Sequence, residues 1–398
     1  MSSELQIFEQ PQFEETIVRQ EVHTYRPNVA SYQYSDEIEI VINQQDVLLA
    51  LYDASIYIDI SYVPEENATT CKLTNNFAAF LFESLTYELN GIELERVREP
   101  GLVTTLKTYL CCNQNEVKTL YTAGWLNNDN VTTSRNLTVC LPLKYLFSIF
   151  TDYKKVIMGK HRLRLVRARN DNNCYESSDD KRATITINSI ELKVKHIYPH
   201  DELKLQIFKK LGNDQPITIA YRKWEIYELP ALRIANREIW PIKTSTNLEK
   251  PRLVVVVFQK NRKNNPKTDI TYFDNIDIHN IKLHLNSEFY PYEAMKVDFS
   301  NMQYVEPYIK YAEFQQLFFD DIDRRTEPYL SYESFKDKAI FLIDCSKQNE
   351  QLKSSTVDVK LEVEKNGNFD INTSVTCLII HDSLVEYLPL SGTVKHLI

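Results

Sequence analysis

The chain has 398 residues, only 7 of them glycine, and a formal net charge of −9. Ordinary usage would give about 28 glycines, so Gly-rich phosphate loops, collagen-like repeats and Gly-rich linkers are excluded. The acidic balance gives no basic footprint for nucleic acid, while 43 % hydrophobic residues, with 24 Tyr and 18 Phe, can build a large core of about two or three domains.

The first 34 residues are polar and aperiodic and read as an extended arm. Over residues 1–37 the acids Glu4, Glu9, Glu14, Glu15, Glu21, Asp36 and Glu37 stand against Arg19 and Arg26. The opening MSSELQIFEQ lacks the basic and apolar regions of a secretory signal. No apolar run of about 18 residues exists to span a bilayer. Seven scattered cysteines without C-x-x-C spacing read as reduced thiols rather than a zinc or disulfide framework.

Regular structure is expected from residue 36. Ile38, Ile40 and Ile42 share one face, as do Ile56, Ile58, Ile60 and Tyr62, which is the period of half-buried strands. Residues 81–89 form another strand. Asn90 and Gly91 are a hairpin signal, and 92–97 is the return strand. After Pro100 and Gly101 the period changes, and Leu102, Leu106, Tyr109 and Leu110 predict a short amphipathic helix over 102–112. Strands follow at 137–143, 162–168 and 184–195. In the last, Ile185 and Ile187 lie on one parity and Ile190, Leu192 and Val194 on the other, so a bulge is expected at Asn188 and Ser189.

Residues 201–211 read as a helix with Asp201 as N-cap and Gly212 just past its end. A strand at 217–227 then leads to Leu229, Pro230 and Ala231, the expected division between halves. The second half opens with a strand at 238–244. Residues 253–258 are continuously apolar, the mark of a strand covered on both faces, and 276–285 alternates. Ser300 and Gln303 form a capping-box pattern before a helix over 304–319 whose buried face is Tyr304, Tyr308, Tyr311, Phe314 and Leu317, with Pro307 in its first turn. Strands at 340–344, 357–364 and 375–381 finish the chain, with Asn366 and Gly367 as a turn. Many short strands that do not alternate with helices argue for an all-β fold: sandwich, jelly roll or barrel.

Residues with chemical potential are few. Asp277 and His279 share a strand face near Asp274 and His284, which is either half of a metal site or a wetted strand face; no third converging ligand is identifiable. Asp320, Asp321 and Asp323 beside Arg324 and Arg325 read as a solvated acidic loop. His381 and Asp382 evoke part of a triad, but no serine or cysteine has a nucleophile's context. The basic loop KNRKNNPK (260–267) and the basic strand carrying Arg162, Arg164, Arg167 and Arg169 have no interleaved aromatic platform, so solvent or an acidic neighbour fits them better than bases do. No catalytic, cofactor or metal residue is assigned.

Several segments together carry a resemblance: 87–107 (YELNGIELERVREPGLVTTLK), 250–259 (KPRLVVVVFQ), 273–292 (FDNIDIHNIKLHLNSEFYPY), 343–361 (IDCSKQNEQLKSSTVDVKL) and 377–390 (CLIIHDSLVEYLPL). In that order the chain resembles double jelly-roll major capsid proteins of the Polinton/adintovirus type, in the adenovirus–tectivirus capsid lineage. The likeness spans most of 35–395 and rests on structural rather than catalytic patterns. It implies two tandem eight-stranded antiparallel jelly rolls, at 35–230 and 231–398, behind an arm at 1–34.

It also implies homotrimers that form pseudo-hexameric capsomers, capsomer–capsomer contacts tiling an icosahedral shell, and a penton or minor capsid protein as partner. Neither sequence-specific nucleic acid nor a transmembrane segment belongs to this picture. The implied location is the virion, after synthesis in a host cytoplasm. A chain of this length leaves no room for long towers, and the acidic arm is expected to order only against neighbours. The alternatives are a jelly-roll carbohydrate-binding or hydrolytic protein, which would need two converging carboxylates, and a host-resident capsid-derived protein that no longer assembles.

Overall fold

The computed structural model describes residues 16–29, 31–44, 47–68, 70–126, 132–178, 181–245, 251–319, 328–347 and 357–397. The first half contains β1 (Ile17–Tyr25), β2 (Glu37–Ile42), β3 (Leu48–Pro64), β4 (Phe82–Leu89), β5 (Ile92–Arg98), β6 (Arg135–Pro142), β7 (His161–Arg167) and β8 (Ala183–Pro199). The second contains β9 (Ile217–Leu229), β10 (Arg237–Ser245), β11 (Pro251–Lys260), β12 (Ile278–Leu285), β13 (Glu288–Tyr290), β14 (Phe341–Asp344), β15 (Val357–Lys365) and β16 (Thr373–Leu388). Three helices matter below: α1 (Pro100–Cys111), α2 (Asp201–Gly212) and α3 (Val305–Phe319).

The hydrogen-bonded order is β1-β8-β3-β6 and β2-β7-β4-β5 in the first half, and β9-β16-β11-β14 and β10-β15-β12-β13 in the second. Counted from the start of each half, both read 1-8-3-6 and 2-7-4-5, and the pairs are antiparallel. That is a jelly roll made twice. Each half buries the facing sides of its two sheets, and one continuous apolar cluster runs through both halves.

The local chemistry explains the elements. Ile56, Ile58, Ile60 and Tyr62 alternate inward along β3 with no exposed surface. The register of β8 on β3 slips between Ile187 and Ser189, where the change of parity demanded it. Asn90 and Gly91 both take positive φ and close the β4–β5 turn. Val254 through Phe258 in β11 are buried on both faces, between β14 and β16.

The leading strand of each half departs from expectation. Ile17–Tyr25 lies in the segment read as an arm ordered only by neighbours, yet it pairs with Leu192–Pro199 of its own chain as strand one. The expected division at Leu229, Pro230 and Ala231 falls at the end of β9, whose thirteen residues pair with Val375–Tyr387 in the second half's sheet. The chain therefore passes from one set of sheets to the other through α2. β1 lies at a sheet edge and shows little alternation, so period-2 reading has nothing to hold; β9 was read as a strand at 217–227, but alternation does not say which half's sheet a strand joins.

Helix ends also differ in detail. His200, not Asp201, caps α2, its Nδ1 accepting from the Glu202 N–H at 3.4 Å, and Gly212 is the last helical residue rather than the one beyond. Ser300 stands five residues before the start of α3, so the capping box does not form; the backbone there folds back through Asp298 and Gln303 instead. Pro307 does lie in the first turn of α3.

Candidate functional site

The largest constructed feature is the seam between the halves. In both, the long connection between strands five and six carries a helix, α1 in the first and α3 in the second. These two helices meet. Sequence periodicity predicted an amphipathic α1; instead every residue from Pro100 to Leu110 is buried. One side of the helix faces its own jelly roll and the other faces the second, so no wetted side remains.

Gly101 shows how close the approach is. A Cβ at that position would lie 2.2–2.5 Å from the Phe80 ring, so only glycine fits inside this first helical turn. The buried hydroxyls are all satisfied. Asn76 Nδ2 donates to Gly101 O, Thr104 Oγ1 and Thr105 Oγ1 at 3.0, 2.7 and 3.0 Å, and Thr108 Oγ1 donates to Thr104 O at 3.0 Å.

Tyr109 is the pivot of the seam. Its hydroxyl donates to Thr271 O of the second half (3.3 Å), and its carbonyl accepts from the Tyr311 hydroxyl of α3 (2.7 Å). That hydroxyl in turn accepts from the Leu330 N–H at 3.1 Å. The Tyr109 ring meets Trp125, Phe273 and Tyr329 edge-on at centroid distances of 5.8, 5.9 and 4.9 Å. Such contacts each add about 0.5–1.5 kcal/mol to the burial itself.

Charged groups in the seam have polar or aromatic partners. Lys107 of α1 is buried, donates to Ser148 Oγ at 3.1 Å and lies 5.3 Å from the Trp224 ring of β9. Burial pushes its pKa down, with Glu95 opposing. The Glu95 carboxylate, itself buried, accepts the N–H groups of Ser148 and Ile149 at 2.9 and 3.0 Å. Tyr221 of β9 donates to Leu94 O of β5 at 2.5 Å. Arg222 binds Asp152 through its backbone N–H (2.8 Å) and guanidinium, which also stacks 3.8 Å from the Phe318 ring centroid.

The basic loop 260–267 belongs to the same seam. Lys263 bridges Glu99 (3.0 Å) and Glu228 (2.5 Å); burial disfavours its charge, but the two carboxylates outweigh this and raise its pKa. Arg262 grips Asp274 at 2.6 Å, and the Asn264 N–H donates to Asn173 Oδ1 at 2.7 Å. The acidic neighbour that this loop was expected to meet is in its own chain.

The basic strand is neutralised similarly. Arg162 pairs with Glu39 and Glu88, Arg164 with Glu37 and Glu88, and Arg169 with Glu83. Arg167 is buried, pairs with Asp171 and donates to Leu81 O at 2.8 Å. No aromatic platform or unneutralised cationic groove forms on this strand.

The remaining candidates stay apart. Asp277 and His279 are exposed on the outer face beside β12, while Asp274 is held by Arg262. His284 bonds Glu362 at 2.8 Å. His381 is buried with Nε2 3.6 Å from Glu225; burial opposes charge on that carboxyl, but His381, Lys223 and Lys243 outweigh it and hold its pKa well below the usual range. Asp382 points away to Arg252. Asp320, Asp321, Asp323, Arg324 and Arg325 lie outside the described residues. Among the described residues no three His, Cys, Asp or Glu side chains converge to hold a metal ion, no helix is long and apolar enough to cross a membrane, and the cysteines form no disulfide. Tyr109 was read in the sequence as part of the apolar helix face but not as a contact to the second half, and Lys107 escaped notice because it looks like an ordinary helix position; the available signal was a lysine flanked by apolar residues on both sides of the helical period.

Comparison with known proteins places this architecture. No curated protein matches by sequence. Solved structures match along nearly the whole chain: PBCV-1 VP54 fitted into a reconstruction of the virophage Sputnik (TM-score 0.64, 10 % identity, 98 % of this chain and 99 % of that one); the Faustovirus major capsid protein (0.60, 10 %, 96 % and 92 %); and the mavirus major capsid protein (0.58, 10 %, 100 % and 93 %). These likenesses establish the fold. The model of the double jelly roll-like domain matches residues 71–385, and the chain belongs to that family.

Proposed function

We propose that this protein is a viral, or virus-like element's, major capsid protein: a structural subunit with no enzymatic role. The observation that carries the reading is the fusion of two jelly rolls of identical strand order through a seam as well packed as a core, in a chain whose structural relatives include capsid proteins matched end to end. Rigid sheets joined without a cleft of converging reactive groups suit a tile better than a catalyst.

On this reading three copies form a pseudo-hexameric capsomer, and capsomers meet one another to tile an icosahedral shell. A penton or minor capsid protein fills the positions that a six-sided tile cannot. The chain is made in a host cytoplasm and resides in the virion, and the quoted sequence segments favour the Polinton/adintovirus type. The first jelly roll runs from β1 to β8 and the second from β9 to β16, with α2 between them. Electron microscopy of purified full-length chain tests this. Six-sided particles with three-fold symmetry, or closed shells, support it; monodisperse monomers at every concentration refute it.

A further inference from the structure

An apolar pocket of about 200 Å³ lies in the seam, between the end of α1, residues 142–152 after β6, and the place where β9 meets α3. Its wall is almost wholly apolar, with the rings of Tyr145, Trp224, Phe318 and Phe319 as the largest contributors. Trp224 and Phe318 are buried, while Tyr145 and Phe319 are half-buried. Such a wall offers water few partners, and an apolar cavity of about 150 Å³ is already large enough to take up benzene. The space therefore suits a hydrocarbon group better than solvent.

The charges around this pocket are unbalanced. Lys107 contributes to its inner wall and Lys144 to its rim. Lys107 is buried and makes no ion pair; its Nζ donates to Ser148 Oγ at 3.1 Å and lies 5.3 Å from the Trp224 ring. The carboxylates that act on it are Glu95 and Asp152, and both are committed elsewhere. Glu95 accepts the N–H groups of Ser148 and Ile149, and Asp152 accepts the Arg222 backbone N–H and Nε at 2.8 and 3.0 Å. Lys144 is exposed and has no carboxylate partner among the described residues. An apolar interior thus opens past two cations that lack an anion.

We propose that this pocket binds a small amphipathic monocarboxylate, the size of a medium-chain fatty acid, with its hydrocarbon chain among Tyr145, Trp224 and Phe318 and its carboxylate at the rim beside Lys144. Burial of the chain supplies the affinity, and the charge selects the head group. A neutral molecule of the same length gains only the first, and a cationic one is repelled by both lysines. The ligand touches α1 of the first half and β9 and α3 of the second, so it bridges the two jelly rolls. Because it binds the folded seam and not the unfolded chain, it stabilises the joined state by mass action. The site goes beyond the capsid reading and does not depend on assembly.

The test uses the full-length chain and three probes of equal length, octanoate, octanol and octylamine, each below its micellar concentration. Calorimetric titration and thermal melting are measured. Octanoate should bind once per chain, and the melting temperature should rise with the logarithm of its concentration. Octanol should bind about fivefold more weakly, the size of a favourable exposed ion pair, and octylamine not at all. Lys144→Glu should weaken octanoate about tenfold, since repulsion replaces attraction, and leave octanol unchanged. Cys112→Phe, which puts a ring into the pocket, should abolish binding of both. On the unmodified chain, a diazirine analogue of octanoate should label residues 107–112, 142–152, 224 or 318–319. No saturable octanoate binding, or labelling confined to other segments, overturns the site. Equal affinities for octanoate and octanol, unmoved by Lys144→Glu, overturn the assigned ligand class.

Discussion

Strands β1 and β9 hold the same place in two copies of one fold, and their surroundings are opposite. Tyr221 and Trp224 of β9 are each 3 % exposed because the first half lies over them. Val18 and Val22 of β1 stand exposed because none of the described residues covers that side. The strand order is the same, so the fold alone does not decide what is buried. What decides it is whether another jelly roll is adjacent, and only one of two equivalent sides is supplied by the chain itself. The covered side should therefore govern stability and the bare side association.

The largest effect is expected where burial is complete. Val255 lies in the middle of β11 between Leu342 and Leu378, and Val255→Arg would strand an unpaired charge on a strand with no wetted face. No soluble folded chain should be recovered; normal yield with native circular dichroism would undo the assignment of β11 as a doubly covered strand. Next is the seam helix. Gly101→Val should cost about 3 kcal/mol or more by overpacking against Phe80, and a compensating Phe80→Ala should recover part of it. Additive losses in that double-mutant cycle would separate the two residues.

A pH titration sharpens the comparison. Burial pushes the His161 imidazole, whose Nδ1 lies 2.9 Å from the Tyr87 hydroxyl, down to about 4 from an ordinary 6.5. The folded state thus favours the neutral ring. Its contribution is complete above pH 6.5 and is lost as pH falls from there towards 4, up to about 3 kcal/mol. Denaturant midpoints across that window should show the loss, and His161→Gln should flatten it. Near the bare side, burial and then the neighbouring His23 lower the pKa of His196, which lies on β8 one strand in from the edge, so a loss in the same direction is expected there. Smallest of all, Val18→Thr should change the stability of the dilute monomer by about 0.5 kcal/mol or less, the usual range for exposed positions. A larger drop in melting temperature would mean that β1 is already covered within one chain.

The same contrast explains what could be read in advance. β3, β11 and the bulge in β8 were legible because each keeps one or two faces in a core, and burial writes itself into residue parity. The Asn90–Gly91 turn was legible because only residues tolerant of positive φ close a two-residue hairpin. β1 was missed because an edge strand needs no regular alternation, and β9, read as a strand, was assigned to the wrong half because the partners of both lie about 150 residues or more away. α1 was taken as amphipathic because sequence shows where apolar residues fall, not that a second body will cover the polar-looking side with Lys107 and three threonines. The seam was hidden for the same reason. Its acids and bases read as solvated charge until the fold brings Glu99, Glu228 and Lys263 together.

The most direct measurement of the central claim is the native mass of the full-length chain over a wide concentration range. A trimer predicts a species near 140 kDa, three times the 46.7 kDa chain, that is stable on dilution. A single species at 46.7 kDa at every concentration would contradict it.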